Sequence, residues 1–514
     1  MTGPGQAATA GPGDDREVTL LPGPVLDLGT EVVAVGLGQG AAPAGAAEAL
    51  DRRAGGVLGR WVAAGRFRGE AGETLFVPAG NGTPHLLAVG LGKEADRRAE
   101  SVRRLAGVTI REARHRRLES AAVVLPGGLH DPLEECVRAA AEGLVLGDWS
   151  FDELRGAERR EKLPPRPERA AVHVPGDTSG KVDDLARAVR EGRAVAAAQN
   201  WARGLVARPG NVATPTFLAT RAREMADAYG LQADVWGPDK LREEGFGGLL
   251  AVSRGSAEQP RFIILQHRGA EGAPFVLVGK GVTFDAGGIS LKPSSGMEDM
   301  KFDMGGGAAV LGAMRAAAEL GLPARIVGLV PSTENLPSGS ALKPADVIRG
   351  VSGISIEVVN TDAEGRLILS DALAYGSRLE PRAMVDLATL TGGCVVALGY
   401  HASGLMTDDD GLAAELDEAG RRSGERVWRL PLWEEYRKQM DSDIADIKNS
   451  AGRDASPLTA GCFLKEFVAD GVPWAHLDIA GTAWAKEARP YQPEGATGVG
   501  VRLLIDWLRR AARP

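Results

Sequence analysis

The chain has 514 residues, more than one ordinary hydrophobic core accommodates, so two domains of roughly 150–300 residues are expected. With 44% hydrophobic and 25% charged residues it has a globular composition, and its 69 glycines point to a loop-rich α/β design. The formal net charge of −8 excludes a global basic field that would recruit nucleic acid or an anionic membrane.

Residues 1–18 are rich in Gly, Ala and Pro and are expected to form a disordered tail. They lack the basic start and apolar stretch of a signal peptide. The apolar runs EVVAVGLG (31–38), HLLAVGLG (85–92) and SAAVVLPGG (120–128) read as buried strands closed by glycine. Between them GAAEALDRRAGGVLGRWVAAG and RRAESVRRLAGVTIREAR have helical patterns, giving a βαβ rhythm over an N-terminal α/β domain, residues 19–180. AAVHVPG, after the proline-rich 161–170, reads as that domain's last strand. A linker helix over 183–208 opens the second domain, residues 181–514. There FGGLLAVSRG, RFIILQHRG, PFVLVGKG, ARIVGLVPS, SIEVVN, RAMVDLATLTGG and HLDIAG read as strands. Cys136, Cys394 and Cys462 are odd in number and far apart, which argues against a disulfide framework and for a reducing, cytoplasmic setting. No apolar run approaches the ~18 residues of a membrane span.

Unusual polar residues collect at strand ends of the second domain, where an open α/β sheet places its site. In residues 274–307 Lys280 and Asp285 follow the apolar run Phe275–Val278, Lys292 comes next, and Asp303 precedes the helical GGGAAVLGAMRAAAEL. In NTDAEGRL (360–367), Asp362, Glu364 and Arg366 lie between the strand SIEVVN and the helical LILSDALAYGSRL. If that turn is extended, its period of two aims the three side chains one way, and the two acids need a cation between them. Taken singly, Asp303 reads as a helix cap, Asp285 as a turn former, Asp362 and Glu364 as surface acids, and each lysine as a salt-bridge partner. Together, four carboxylates suit one or two divalent cations of the Mg, Mn or Zn kind. None of the seven histidines falls in either cluster, which argues against a His-based zinc site or a Ser-His-Asp triad. The residues alone reach a two-metal hydrolase and leave peptide and phosphate ester both open.

The two clusters resemble the leucyl aminopeptidase family of cytosolic two-metal exopeptidases. NTDAEGRL matches that family's signature octapeptide without a substitution, and GKGVTFDAGGISLKP, MKFDM, VDLATLTGG (385–393), TAGCFLKEF (459–467) and AHLDIAGTAW (475–484) are similar to family segments. The resemblance implies a smaller N-terminal macro-like α/β domain and a larger C-terminal α/β catalytic domain with a mixed central sheet. It implies five ligands for two divalent ions (Mn²⁺ or Zn²⁺): Asp285 and Glu364 bridging, Lys280 and Asp303 at one site, Asp362 at the other. It further implies Lys292 as electrophile and Arg366 holding a bicarbonate that serves as general base. Met300, Thr389, Leu390 and Gly392 would line the pocket for the first side chain, favouring leucine and other apolar residues. A lysine ligand must be neutral, and two dications nearby would favour that form. The implied substrates are peptides with a free N-terminus, turned over inside the cell, and the implied assembly is a homohexamer. Some family members also bind DNA. The locally basic RRAESVRRLAGVTIREARHRR (97–117) fits that alternative, or a solvated helix face.

Overall fold

The computed structural model describes residues 17–80 and 82–512. Two compact units divide the chain: one runs to Asn200 and includes Lys486–Glu494, the other comprises Trp201–Ala485 and the residues from Gly495 on. The helix Val182–Ala207 contributes residues to both. Of the expected tail, residues 1–16 lie outside the described residues, and Val18 already opens a strand.

The N-terminal unit is built on six strands: β1 (Val18–Leu21), β2 (Val32–Gly38), β3 (Thr74–Val77), β4 (His85–Gly92), β5 (Ser120–Val124) and β6 (Arg169–His173). They lie in the order β1-β6-β5-β2-β4-β3, all parallel except the antiparallel β3–β4 edge pair. Strand alternation splits the apolar runs between two cores. Val32, Ala34, Leu87, Val89, Ala121 and Val123 pack with the helices Ala99–His115 and Leu133–Gly147. Val33, Val35, Leu86, Ala88, Ala122 and Val124 pack with Ala46–Arg53 and Val57–Ala63. These last two helices stand where one helical pattern is expected. Gly55 and Gly56, at φ of 80° and 70°, divide it.

In the larger unit the strands are β7 (Gln232–Trp236), β8 (Arg261–Arg268), β9 (Phe275–Gly279), β10 (Gly281–Asp285), β11 (Arg325–Asn335), β12 (Val347–Arg349), β13 (Ser355–Glu357), β14 (Ala383–Ala388), β15 (Ser403–Met406), β16 (Val427–Leu430), β17 (Ile447–Lys448), β18 (Trp474–Asp478) and the short pair β19 (Trp484–Ala485) and β20 (Gly495–Ala496). The main sheet runs β16-β15-β18-β14-β9-β11-β8-β7, with β10 also paired to β11. Its centre, β18-β14-β9-β11, is parallel, and both flanks carry antiparallel pairs, so the sheet is mixed. One face is covered by the helix Gly365–Ser377, whose Leu367, Ile368 and Ala372 join Val276, Val278, Leu329 and Met384 in one core. The helix Gly305–Glu319 packs on β9, β11 and β14. FGGLLAVSRG, expected as a strand, is instead the helix Gly247–Val252 with a following 3₁₀ turn. The three cysteines are buried and unpaired. Among the described residues no helix is long and apolar enough to cross a membrane.

Candidate metal centre

The polar residues expected at strand ends do collect at the carboxyl ends of the parallel strands. Lys280 stands between β9 and β10, Asp285 ends β10, and Thr389 and Leu390 follow β14. Asp303 sits between the 3₁₀ turn Met297–Phe302 and the helix Gly305–Glu319, whose N-cap is Met304. Glu364 is the N-cap of Gly365–Ser377.

Four acids and two lysines interlock there. Lys280 Nζ lies 2.7 Å from Asp303 Oδ2 and 2.8 Å from Glu364 Oε1, and donates to the Thr389 carbonyl at 3.0 Å. Lys292 Nζ lies 2.8 Å from Asp285 Oδ2 and 2.5 Å from Asp362 Oδ1. All of these side chains are buried except those of Lys292 and Asp362, which are partly exposed. A Cβ at Gly365 would fall 2.6 Å from Lys280 Cε, so glycine there is what admits the lysine.

The octapeptide turn is not extended. Glu364 already has helical backbone angles, so strand alternation does not align the three side chains. Asp362 meets Lys292, Glu364 meets Lys280, and Arg366 Nη1 donates to the Asn449 carbonyl at 2.8 Å. The turn takes its shape from buried side chains elsewhere. Asn449 Oδ1 accepts from the Val359 and Asn360 N–H groups, and its Nδ2 donates to the Asn360 and Ala363 carbonyls. Asn335 Nδ2 donates to Asp285 Oδ1 at 2.8 Å and to the Thr361 carbonyl at 3.0 Å. Asp478 accepts from Leu390 N–H and from the Thr391 hydroxyl, fixing the loop after β14. Sequence reasoning passed over all three, since an Asn or Asp reads first as a local turn former.

Burial lifts the Asp285 carboxyl to about 6, with Glu364 adding to the rise, and lifts Asp303 well above the usual carboxylate range. Burial also raises Asp362. Glu364, equally buried, is held below the ordinary value because Lys280 and Lys292 outweigh its desolvation. Burial opposes charge on Lys280 as well, but Asp303 and Glu364 raise it overall, and Asp285 and Glu364 do the same for Lys292. Burial pulls Arg366 down to about 10, against the pull of Glu364 and Asp478, and it remains a cation at neutral pH.

Asp285, Asp303 and Glu364 offer ligand oxygens within 4.8 Å of one another. The oxygens Asp303 Oδ2, Asp362 Oδ1 and Glu364 Oε1 are buried and have no neutral hydrogen-bond donor, only the ammonium group each is paired with. This donor set, hard oxygens with an amine among them, fits divalent cations. Arg366 Nε is likewise buried without a hydrogen-bond partner, which suits a small planar anion. Of the expected pocket residues, Thr389 directs its hydroxyl to Asp303 Oδ1 at 2.6 Å, and Leu390 packs on the core beneath. Met300 lies half-buried in the 3₁₀ turn, and Gly392 is exposed at the start of the helix Gly392–Leu398.

Comparison with known proteins extends over nearly the whole chain. Residues 200–505 match the model of the cytosol aminopeptidase family catalytic domain, and residues 27–158 that of its N-terminal domain. A probable cytosol aminopeptidase of a Geobacter species is 48% identical over 467 residues, covering 90% of this chain and 94% of that one. One from Syntrophotalea carbinolica is 47% identical over 495 residues, covering 95% and 98%. Among solved structures, the bottromycin maturation enzyme BotP in complex with Mn is similar at 40% identity and a TM-score of 0.83, over 94% of this chain and all of that one. A mutant of tomato leucine aminopeptidase is 30% identical with a TM-score of 0.85, over 96% and 97%. The chain therefore belongs to the cytosol aminopeptidase family and is a metal-dependent peptidase that removes residues from the N-terminus of peptides.

Proposed function

We propose that this enzyme releases leucine and other apolar N-terminal residues from intracellular peptides, using two divalent ions (manganese or zinc) and a bicarbonate. The observation that carries the reading is the set of buried carboxylate oxygens whose only polar partners are two lysine ammonium groups. Asp285, Asp303, Asp362, Glu364 and Lys280 would hold the ions. When bound, the ions supply an acidified water and a polarised carbonyl, and the bicarbonate supplies a base.

The chain's own residues do the rest. Lys292 keeps its proton because Asp285, Glu364 and Asp362 face it, so its ammonium donates to the oxygen that gains negative charge as the peptide bond opens. Its side chain is about one-fifth exposed, so the ammonium is not sealed off from substrate. Arg366 would hold the bicarbonate, its buried Nε having no partner among the described residues while the Asn449 carbonyl accepts from its Nη1. Met300, Thr389, Leu390 and Gly392 would wall the side-chain pocket. A missing methylene costs only ~1–3 kcal/mol in such a pocket, so the preference for leucine is graded. A homohexamer in the cytoplasm belongs to the same reading. A nucleic-acid role is the less favoured alternative: the overall charge is negative, and several arginines of the basic helix pair with this chain's own acids, Arg103 with Glu142, Arg104 with Glu100 and Arg116 with Glu112.

Leucine release from a leucyl amide tests the proposal. It should stop on chelation, return with Mn²⁺, and be absent when the amine is acetylated. Equal cleavage of the acetylated substrate would sink it.

A further inference from the structure

The loop that carries Asp285 and the turn that carries Asp362 and Glu364 are separated by some 75 residues, yet their ligands must meet the same ions. We infer that Asn335 is a positioning residue that sets the metal affinity of the site by tying these two segments to one amide. The inference deepens the proposed function and rests on it.

Asn335 ends β11, is 4% exposed, and has Asp285 as its register partner on β10. Both hydrogens of its single Nδ2 are in use, one on Asp285 Oδ1 and one on the Thr361 carbonyl. An amide's two N–H bonds are fixed in one plane, so the pair of contacts sets the position of the first carboxylate against the backbone just before the second. Gly287 N–H also donates to Asp285 Oδ1 at 2.8 Å. One carboxylate oxygen is thus committed to the protein, and Oδ2 is left toward Lys292. The amide oxygen lies against Gly288, where the Cβ of any other residue would fall 2.8 Å from Asn335 Oδ1, so the loop after Asp285 needs glycine to leave the amide its place. Other bonds join the segments: Ser290 N–H to Thr361 Oγ1, Thr361 N–H to Ser290 Oγ, and Thr361 Oγ1 to the Gly287 carbonyl. These hold backbone to side chain and touch no ligating carboxylate. Groups that orient a metal ligand from behind commonly govern affinity by about 10–100-fold.

Titration of Mn²⁺ alone into the chelator-stripped full-length protein, followed calorimetrically, tests this. Asn335→Ala should bind Mn²⁺ about 10–100-fold more weakly than wild type, with kcat recovering to within about fivefold once Mn²⁺ saturates. Leu241→Ala opens a cavity in the core beside β7 and lowers the melting temperature, but should leave the Mn²⁺ affinity within about twofold. If Asn335→Ala is not recovered folded, Asn335→Ser, too short to span both acceptors, takes its place with the same expected loss. Unchanged affinity in the Asn335 variant would overturn the inference, as would an equal loss in Leu241→Ala. A wild-type protein that takes up no Mn²⁺ would overturn the metal reading and this inference with it, whereas unchanged affinity leaves the metal reading standing.

Discussion

Gly365→Ala is a change of one methyl group that should separate stability from activity. Gly365 opens the helix Gly365–Ser377 with an ordinary negative φ, so alanine meets no backbone penalty, and helix propensity favours it by up to about 1 kcal/mol. The new Cβ would fall 2.6 Å from Lys280 Cε and 2.8 Å from its Nζ. Carbon atoms rest near 3.5–4.0 Å, so the end of Lys280 must retreat by roughly 1 Å. That strain, about 1–3 kcal/mol, equals or modestly exceeds the gain in propensity, and it stays this small because the atoms that yield are the end of a flexible chain. Retreat breaks contacts of 2.7 Å to Asp303 and 2.8 Å to Glu364, and an error of about 1 Å in a reacting site costs on the order of 10²-fold. We therefore expect a melting temperature within a few degrees of wild type and a loss of about 10²-fold in kcat/KM. Leucyl p-nitroanilide hydrolysis at saturating Mn²⁺ and calorimetric unfolding are the measurements. Activity within threefold of wild type would show that Lys280 need not stand where the glycine admits it. Gross unfolding would show that the clash is not absorbed by the lysine.

Arg366→Lys keeps the charge but loses the planar fork, and kcat should fall by about 10²–10⁴-fold with KM little changed; an undiminished kcat removes Arg366 from the reaction. Arg103→Ala strands the Glu142 carboxylate, whose partner lies 2.7 Å away with both side chains buried, and should destabilise the protein by about 3–5 kcal/mol in urea unfolding. The buried Asp371 carboxyl is raised to about 7 by burial, despite N–H donors from Leu249, Val351 and Gly248. The folded protein thus holds this proton more tightly than the unfolded chain. The stability it contributes is complete below about pH 4 and is lost as the pH rises through about 7. Melting curves across that window should slope less for Asp371→Asn than for wild type, and identical slopes would refute the assignment.

What the sequence reveals here depends on whether the information is local. EVVAVGLG, HLLAVGLG and SAAVVLPGG are strands because an unbroken apolar run has both faces to bury, and each is found in the sheet. GGGAAVLGAMRAAAEL and LILSDALAYGSRL are helices for the same local reason. FGGLLAVSRG misleads because a short apolar run looks alike in a buried strand and a buried helix turn, and only its packing on the helix Gly365–Ser377 decides. The ligand candidates stand out by type and clustering. The geometry of NTDAEGRL does not, because its backbone is held by Asn449, more than 80 residues further along, and by Asn335, about 25 residues earlier. A single asparagine carries no local mark of such a partner.

The lysines between the acids bear on the order of events in the life of the enzyme. Lys280 stands between Asp303 and Glu364, and Lys292 between Asp285 and Asp362, so each repelling pair already has a positive group at its centre. The acids can therefore be gathered while the chain folds, without waiting for an ion from solution. Metal held as proposed would displace these ammonium groups, and Lys280, neutral as a ligand, would release a proton on uptake. Activation would in this way be weakest in acid, where Lys280 and the raised Asp285 and Asp303 carboxyls all hold protons that a metal must displace.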